Sequence, residues 1–513
     1  MNGPQPNRAN LKKVSDSVDN PTVVLMGETG SRRSYVTQSM KLDHSVNADS
    51  EFGGSGQTRS YRTELAIFLL VLVFSVPVIH HWGEQQASRY VLTASLWDHQ
   101  TVAVDEYGHI LKRDRAVVDG TTYSDKAPGQ PFLAVPFYGI YRLAGGASPA
   151  SYDPEVDLGS WWLTVWSAAL PGAFLAVLMY RWAREIDEDM ALRATIAMAF
   201  GSLLLVYSTI LFGHVLAALL AFAMFLLVRR PERSWLALLG AGALGGAAVA
   251  VEYPVALIVA VVAIAAFVRH RWKALAVVAG GAPFAALLGL YHVRLFGDPF
   301  TFTYQWSAFS GPQEEADAVT EIFAGPTLER FFHVLFSPRG LVIATPILLI
   351  AVLGFLPMWR NGWRFDVLVS LSAVIAMLAI PFSWGNSYAG GAGPRYFVPA
   401  LPFLVAALAA AWRRWPLFAW AAAGISVLTM VAATITEPQV ATGLEAGLRY
   451  WLTFAAEGDF EPTIYSLALG SFSWVVYLGT IAAAVYFLVR VARRPVGTPS
   501  LQYPVPDTDS VET

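Results

Sequence analysis

The chain has 513 residues, of which 55% are hydrophobic and only 14% charged, with a net charge of −3. A soluble protein of this length would carry about one-quarter charged residues, so a soluble globular enzyme is excluded. A near-neutral balance with no basic stripe excludes a nucleic-acid partner, and the absence of cysteine excludes thiolate chemistry and Cys-based metal sites. Residues 1–62 are polar, mix both charge signs and lack apolar periodicity, so they read as a disordered cytoplasmic tail with no signal-peptide pattern. Apolar runs then recur at roughly 64–82, 159–181, 191–208, 211–229, 235–250, 252–268, 274–293, 340–358, 365–382, 396–412, 415–434 and 470–489. Each is close to the length that crosses a bilayer core as a helix. Residues 131–146 form a shorter apolar piece, either a tilted thirteenth span or a helix in the interface; residues 495–513 read as a second disordered cytoplasmic tail. The fold class is an all-α polytopic membrane protein of about twelve spans within residues 63–494.

Basic residues orient this chain. The clusters Arg181/Arg184/Arg193, Arg229/Arg230/Arg233, Arg269/Arg271/Lys273, Arg360/Arg364, Arg413/Arg414 and Arg490/Arg493/Arg494 fall on one side if residues 131–146 do not cross. That side is the cytoplasm of a cell membrane. The other face then receives the first loop, 83–130, and the segments 295–338, 383–394 and 435–469.

The polar residues with chemical potential converge on that extracytoplasmic face. In the stretch DGTTYSDKAPGQPF, Asp125 and Lys126 stand just before a Pro128-Gly129 turn and an apolar run. A lysine held there by a rigid turn meets a lipid phosphate as a point charge, and a nearby acid suits a general base. A solvated Asp–Lys pair is the plainer alternative. Asp105 and Glu106 offer further loop acids, as does Glu84. Glu252, flanked by apolar residues at a helix end, needs a partner. His214 starts an apolar run, beside which Tyr253 also lies. Arg395 follows a Gly-rich loop and suits a phosphate bidentately, or snorkels at the interface. Trp384 suits a sugar ring or the aromatic belt. Clustered acids permit a divalent cation, but no ligand spacing demands one. No Walker A loop, dinucleotide fingerprint, HExxH or GxSxG appears.

The stretch ASRYVLTASLWDHQTVAVDEY followed by DGTTYSDKAPGQPFLAVP resembles the first external loop of the GT-C superfamily of membrane glycosyltransferases. It is similar above all to that of lipid A aminoarabinose transferases and protein O-mannosyltransferases. Arg89-Tyr90, Gly120, Tyr123, Lys126 and Pro128 carry the likeness. Later pieces, YHVRLFGDPFTFTY, LFSPRGLVIATPILL and GPRYFVPALPFL, look like those of bacterial GT-C-like proteins of unassigned substrate. The resemblance implies a GT-C-like bundle and a polyprenyl-phosphate-linked sugar donor. It also implies inverting transfer to an acceptor hydroxyl at the extracytoplasmic face, with Lys126 near the lipid phosphate. It implies an Asp-Glu pair ahead of Arg89-Tyr90, where this chain has Gln86-Ala87. The base must therefore come from Glu84, Asp105 or Asp125, the last two being favoured. Arg89, Tyr123, His214, Glu252, Tyr253, Trp384 and Arg395 are the expected substrate contacts. A transporter or flippase of a lipid-linked or sugar substrate is the alternative, although internal repeats and mid-membrane charges are missing. A non-catalytic assembly subunit is the third reading.

Overall fold

The computed structural model describes residues 52–80, 83–112, 114–151, 156–301, 303, 325–383, 391–440 and 444–493. Trp384 and the tails, apart from residues 52–62, lie outside them. Helix α1 runs Phe52–Ser75, so it begins inside the stretch expected to be tail. Once the apolar run past Thr63 has nucleated a helix, extending it through polar residues costs little.

The first loop has its own architecture. Helix α2 (Glu84–Asp98) is followed by strands β1 (Arg115–Val118) and β2 (Thr121–Ser124), then by α3 (Gly129–Leu143). The strands pair antiparallel, Arg115 opposite Ser124 and Val118 opposite Thr121. Asp119 and Gly120 make the turn with φ of 49° and 83°, the left-handed pair that matches the twist of a tight hairpin. A small core of Tyr90, Leu92, Tyr107, Tyr138 and Leu163 binds α2 and α3 to the bundle. With 15 residues, α3 rises about 22 Å, short of the roughly 30 Å hydrocarbon core. Phe132, Leu133, Ile140 and Leu143 are exposed on it.

The bundle comprises α4 (Leu158–Ile186), α5 (Glu188–Phe200), α6 (His214–Val228), α7 (Trp235–Val251), α8 (Ala256–His270), α9 (Leu275–Phe296), α10 (Leu328–Phe336), α11 (Arg364–Ser383), α12 (Arg395–Arg414), α13 (Pro416–Ile435), α14 (Leu448–Glu457) and α15 (Ser466–Arg493). Among the described residues, six helical stretches are long and apolar enough to cross a membrane, or seven if one bent pair counts as a span. Length and apolarity therefore do not establish twelve. One stretch, Tyr253–Phe296, is 44 residues long, about twice what one crossing needs, and it breaks at Arg271 into α8 and α9. The expected span 340–358 is bent by 90° between Ala344 and Ile347, where Pro346 cannot donate the helical hydrogen bond. The main core runs through α4, α6 and α12; the apolar window of α12 is wholly buried, whereas that of α15 is 17% buried. At the C-terminal end of α6, buried Arg229 is held by Glu185 at 2.7 Å and by Asp366. The candidate site lies at the other end of that helix.

Candidate functional site

Three pieces of chain meet at the N-terminal end of α6. The first is the buried face of α2. Gln86 accepts a hydrogen bond from the Gly83 N–H at 2.5 Å and so closes the start of the helix. Ser88 and Arg89 follow, both buried. The second is the segment after β2, where Ser124, Asp125 and Lys126 are all buried. Pro128 starts α3, and Gly129 presses on the end of α7: a Cβ there would stand 2.5 Å from the Ala250 carbonyl. The third is Glu252, which leaves α7 in an extended conformation. Its carboxylate points back at Gly213, where a Cβ would meet it at 2.7 Å.

The charges then arrange themselves. Arg89 Nη2 donates to Glu252 Oε1 at 2.5 Å, and His214 Nδ1 lies 3.6 Å from the same oxygen. The Arg89 and Arg395 guanidiniums both sit on the Phe212 ring, 5.6 and 5.7 Å from its centroid. Arg395 is also 5.3 Å from the Tyr396 ring, which meets His214 edge-on. Lys126 Nζ donates to Asp114 Oδ1 at 2.9 Å and to Asp125 at 3.0 Å. Burial alone would lower the lysine's pKa; Asp114 and Asp125 outweigh it and hold the ammonium above its ordinary range. Ser88 Oγ donates to Asp125 Oδ1 at 3.5 Å, and Thr303 Oγ1 to the Asp125 carbonyl at 2.6 Å. Arg89, Asp114, Asp125, Lys126, His214, Glu252 and Arg395 are each no more than 3% exposed. Unpaired, any one of these charges would be costly at such depth. The arrangement presents three cations and three carboxylates around an aromatic floor, which suits binding an anionic group and moving a proton.

The structure brings Arg89, Asp125, Lys126, His214, Glu252 and Arg395 together. Tyr253 adjoins Glu252 and its hydroxyl pairs with His292 Nε2 at 3.0 Å. Tyr123 is half-buried on β2, opposite Ala116. Glu84 is half-buried at the start of α2 and accepts from the Lys112 N–H at 3.3 Å. Asp105 is exposed, and its carboxylate accepts from the Thr122 N–H at 2.8 Å, a loop-fastening bond. Two participants escaped the sequence reading. Asp114 stands between Arg113 and Arg115, where a lone acid looks solvated and no local pattern marks it as buried. Phe212 looked like one more apolar residue. Among the described residues no group of three or more His, Asp or Glu side chains is arranged to hold a metal ion.

Residues 147–384 match glycosyltransferase family 87. No curated protein matches the sequence. Solved structures similar to the chain include ArnT from Cupriavidus metallidurans bound to undecaprenyl phosphate, at 14% identity and a TM-score of 0.44, over 85% of this chain and 73% of that one. The Archaeoglobus fulgidus oligosaccharyltransferase in its apo form is 13% identical, with a TM-score of 0.40, over 83% and 56%. AglB from Archaeoglobus fulgidus, in complex with an inhibitory peptide and a dolichol-phosphate, is 12% identical, with a TM-score of 0.41, over 84% and 56%. The chain thus spans a little over half the length of these archaeal proteins. The family match, over a little under half of the chain, bears out the expectation of a glycosyltransferase.

Proposed function

We propose that the chain is a membrane glycosyltransferase of GT-C type that takes its sugar from a polyprenyl-phosphate donor and transfers it, with inversion, to an acceptor hydroxyl at the extracytoplasmic face of the cell membrane. The observation that carries the reading is the convergence of three buried cations, Arg89, Lys126 and Arg395, where the first loop meets the bundle. Lys126 supplies a point charge and the arginines planar donors to a phosphate. A phosphate arriving at Lys126 competes with Asp125, the carboxylate beside it. Asp125 then takes the acceptor hydroxyl's proton, the acceptor oxygen bonds to the sugar's anomeric carbon, and the bond from that carbon to the phosphate oxygen breaks. The charge left on the polyprenyl phosphate is met by Lys126 and Arg395, fixed in advance in a dry site. Of the three candidate acids, Asp125 is the one in contact with Lys126, which supports it as the base; Glu84 and Asp105 serve backbone N–H groups. Arg89 is anchored by Glu252, so Glu252 and His214 shape the phosphate site from behind. Twelve spans with both termini in the cytoplasm remain the topology that places this site outside.

The test is transfer of radiolabelled sugar from a polyprenyl-phosphate donor by purified protein in detergent. Lys126→Ala is expected to abolish it. Asp125→Asn is expected to slow it by about 10²–10⁴-fold, the usual contribution of a general base, while Asp105→Asn stays near wild type. Wild-type rates in both Lys126→Ala and Asp125→Asn would refute the assignment. Sugar movement across vesicles without a covalent product would favour the transporter.

A further inference from the structure

The Lys126 ammonium is shared between two carboxylates that are held very differently. Asp125 is its sequence neighbour; its side chain has the long 3.5 Å bond from Ser88, while its backbone carbonyl is fixed by Thr303. Asp114 comes from the other arm of the hairpin. It directly precedes Arg115, which pairs with Ser124, two residues before Lys126. The 2.9 Å contact between Asp114 and Lys126 therefore ties the open base of the hairpin across its two arms. An ammonium has three N–H donors arranged tetrahedrally, so a phosphate replaces one carboxylate without disturbing the other. We infer that Asp114 is a positioning residue, which keeps the Lys126 ammonium in place when the donor phosphate displaces the Asp125 carboxylate and frees Asp125 for the acceptor proton. This rests on the donor reading above.

Every charged group that faces Lys126 bears on its titration. Asp114 and Asp125 touch it, Tyr396 and Glu252 lie within electrostatic range, and Arg89, His214 and Arg395 stand behind Glu252. The two aspartates hold the ammonium above its ordinary range, so the grip on a phosphate is full at neutral pH and is lost only as pH rises through that raised value. Removing one aspartate lowers the point of loss.

The experiment is equilibrium binding of a C55 polyprenyl phosphate to the purified full chain in detergent, followed by tryptophan fluorescence across the alkaline range. Asp114→Asn is expected to weaken binding about tenfold at neutral pH, the scale of one charge-assisted hydrogen bond. It is also expected to move the alkaline loss down by about one pH unit. Asp114→Glu keeps the charge and is expected to keep the wild-type alkaline limb. In a Lys126→Gln background, Asp114→Asn should add less than about a twofold effect, because its action runs through the lysine. A wild-type limb in Asp114→Asn, a shifted limb in Asp114→Glu, or an undiminished effect without the lysine overturns the inference. The arms separate it from the reaction itself. Asp114-dependent binding with no sugar transfer would sink the reaction and leave the positioning of Lys126 by Asp114 standing. Transfer that needs Asp125, with Asp114→Asn unaltered, would do the reverse.

Discussion

At Gly129 a single missing methyl group sets the depth at which Lys126 lies. A Cβ there would stand 2.5 Å from the carbon and oxygen of the Ala250 carbonyl and 2.7 Å from the Val251 nitrogen. These are backbone atoms, which cannot swing aside as a side chain would. Gly129→Ala must therefore push the turn off the end of α7 and away from Glu252. Overpacking of this kind costs about 1–3 kcal/mol, so a fall in Tm is expected together with at least a tenfold loss of transfer. Gly120 is the control: its φ is +83° but a Cβ would meet nothing within 4 Å. Gly120→Ala is expected to cost about 1–2 kcal/mol of backbone strain and to leave transfer intact. Equal transfer by the two variants would remove the argument. The sequence showed the rigid turn at Lys126 because Pro and Gly announce themselves, and it showed that Glu252 needed a partner because an acid among apolar residues does. It did not show that the partner is Arg89, 163 positions away, since nothing local encodes a contact made by tertiary folding. Asp114 was illegible for the same reason: charge is written in the sequence, burial is not.

Among the elements, α2 and α3 depend on one carboxylate. Asp98, at the end of α2, accepts from the Tyr107 hydroxyl at 3.0 Å, the Tyr138 hydroxyl at 2.8 Å and Arg142 Nε at 3.2 Å. Tyr138 and Arg142 belong to α3, so this hub fixes the helix that begins at the Pro128-Gly129 turn. Asp98→Ala removes the shared acceptor of three donors, one of them a partly buried cation, and is expected to cost about 2–4 kcal/mol. A clear drop in Tm should accompany an unmoved alkaline limb of lipid-phosphate binding, because the groups around Lys126 are untouched. An unchanged Tm would show that the hub does not hold the loop. Most helices of the bundle could be placed from their apolar runs alone. The failures share a cause. A hydropathy window averages over about nineteen residues, so it passes smoothly across Pro346, where the chain turns by 90°. It likewise passes across Pro399 and Pro402, where α12 begins as a tighter 3-10 helix. Helix α2 and the hairpin leave no signal in hydropathy, since their apolar faces are too short to stand out.

On the scale of the whole molecule, the proposal needs the charged site and the basic connections to lie at opposite membrane faces. The two ends of α6 carry both features: His214 at one end joins the Glu252 cluster, and Arg229 at the other joins Glu185 and Asp366. The second end also collects Asp187 and Asp189 around Arg413, so Arg229 and Arg413, from two of the basic clusters expected in the cytoplasm, are tied into ion pairs there. Fifteen helical residues separate the ends by about 22 Å, most of a hydrocarbon core's thickness. A chain without cysteine makes the orientation directly measurable, because one introduced thiol is the only target for a membrane-impermeant maleimide. Glu106 is exposed in the first loop and Glu232 is exposed just beyond α6, and neither takes part in the site. Glu106→Cys is expected to label on intact cells. Glu232→Cys is expected to label only after lysis. The reverse pattern would turn the site toward the cytoplasm, where sugar nucleotides are available, and would remove the reason for a lipid-carried donor while leaving the glycosyltransferase family match untouched.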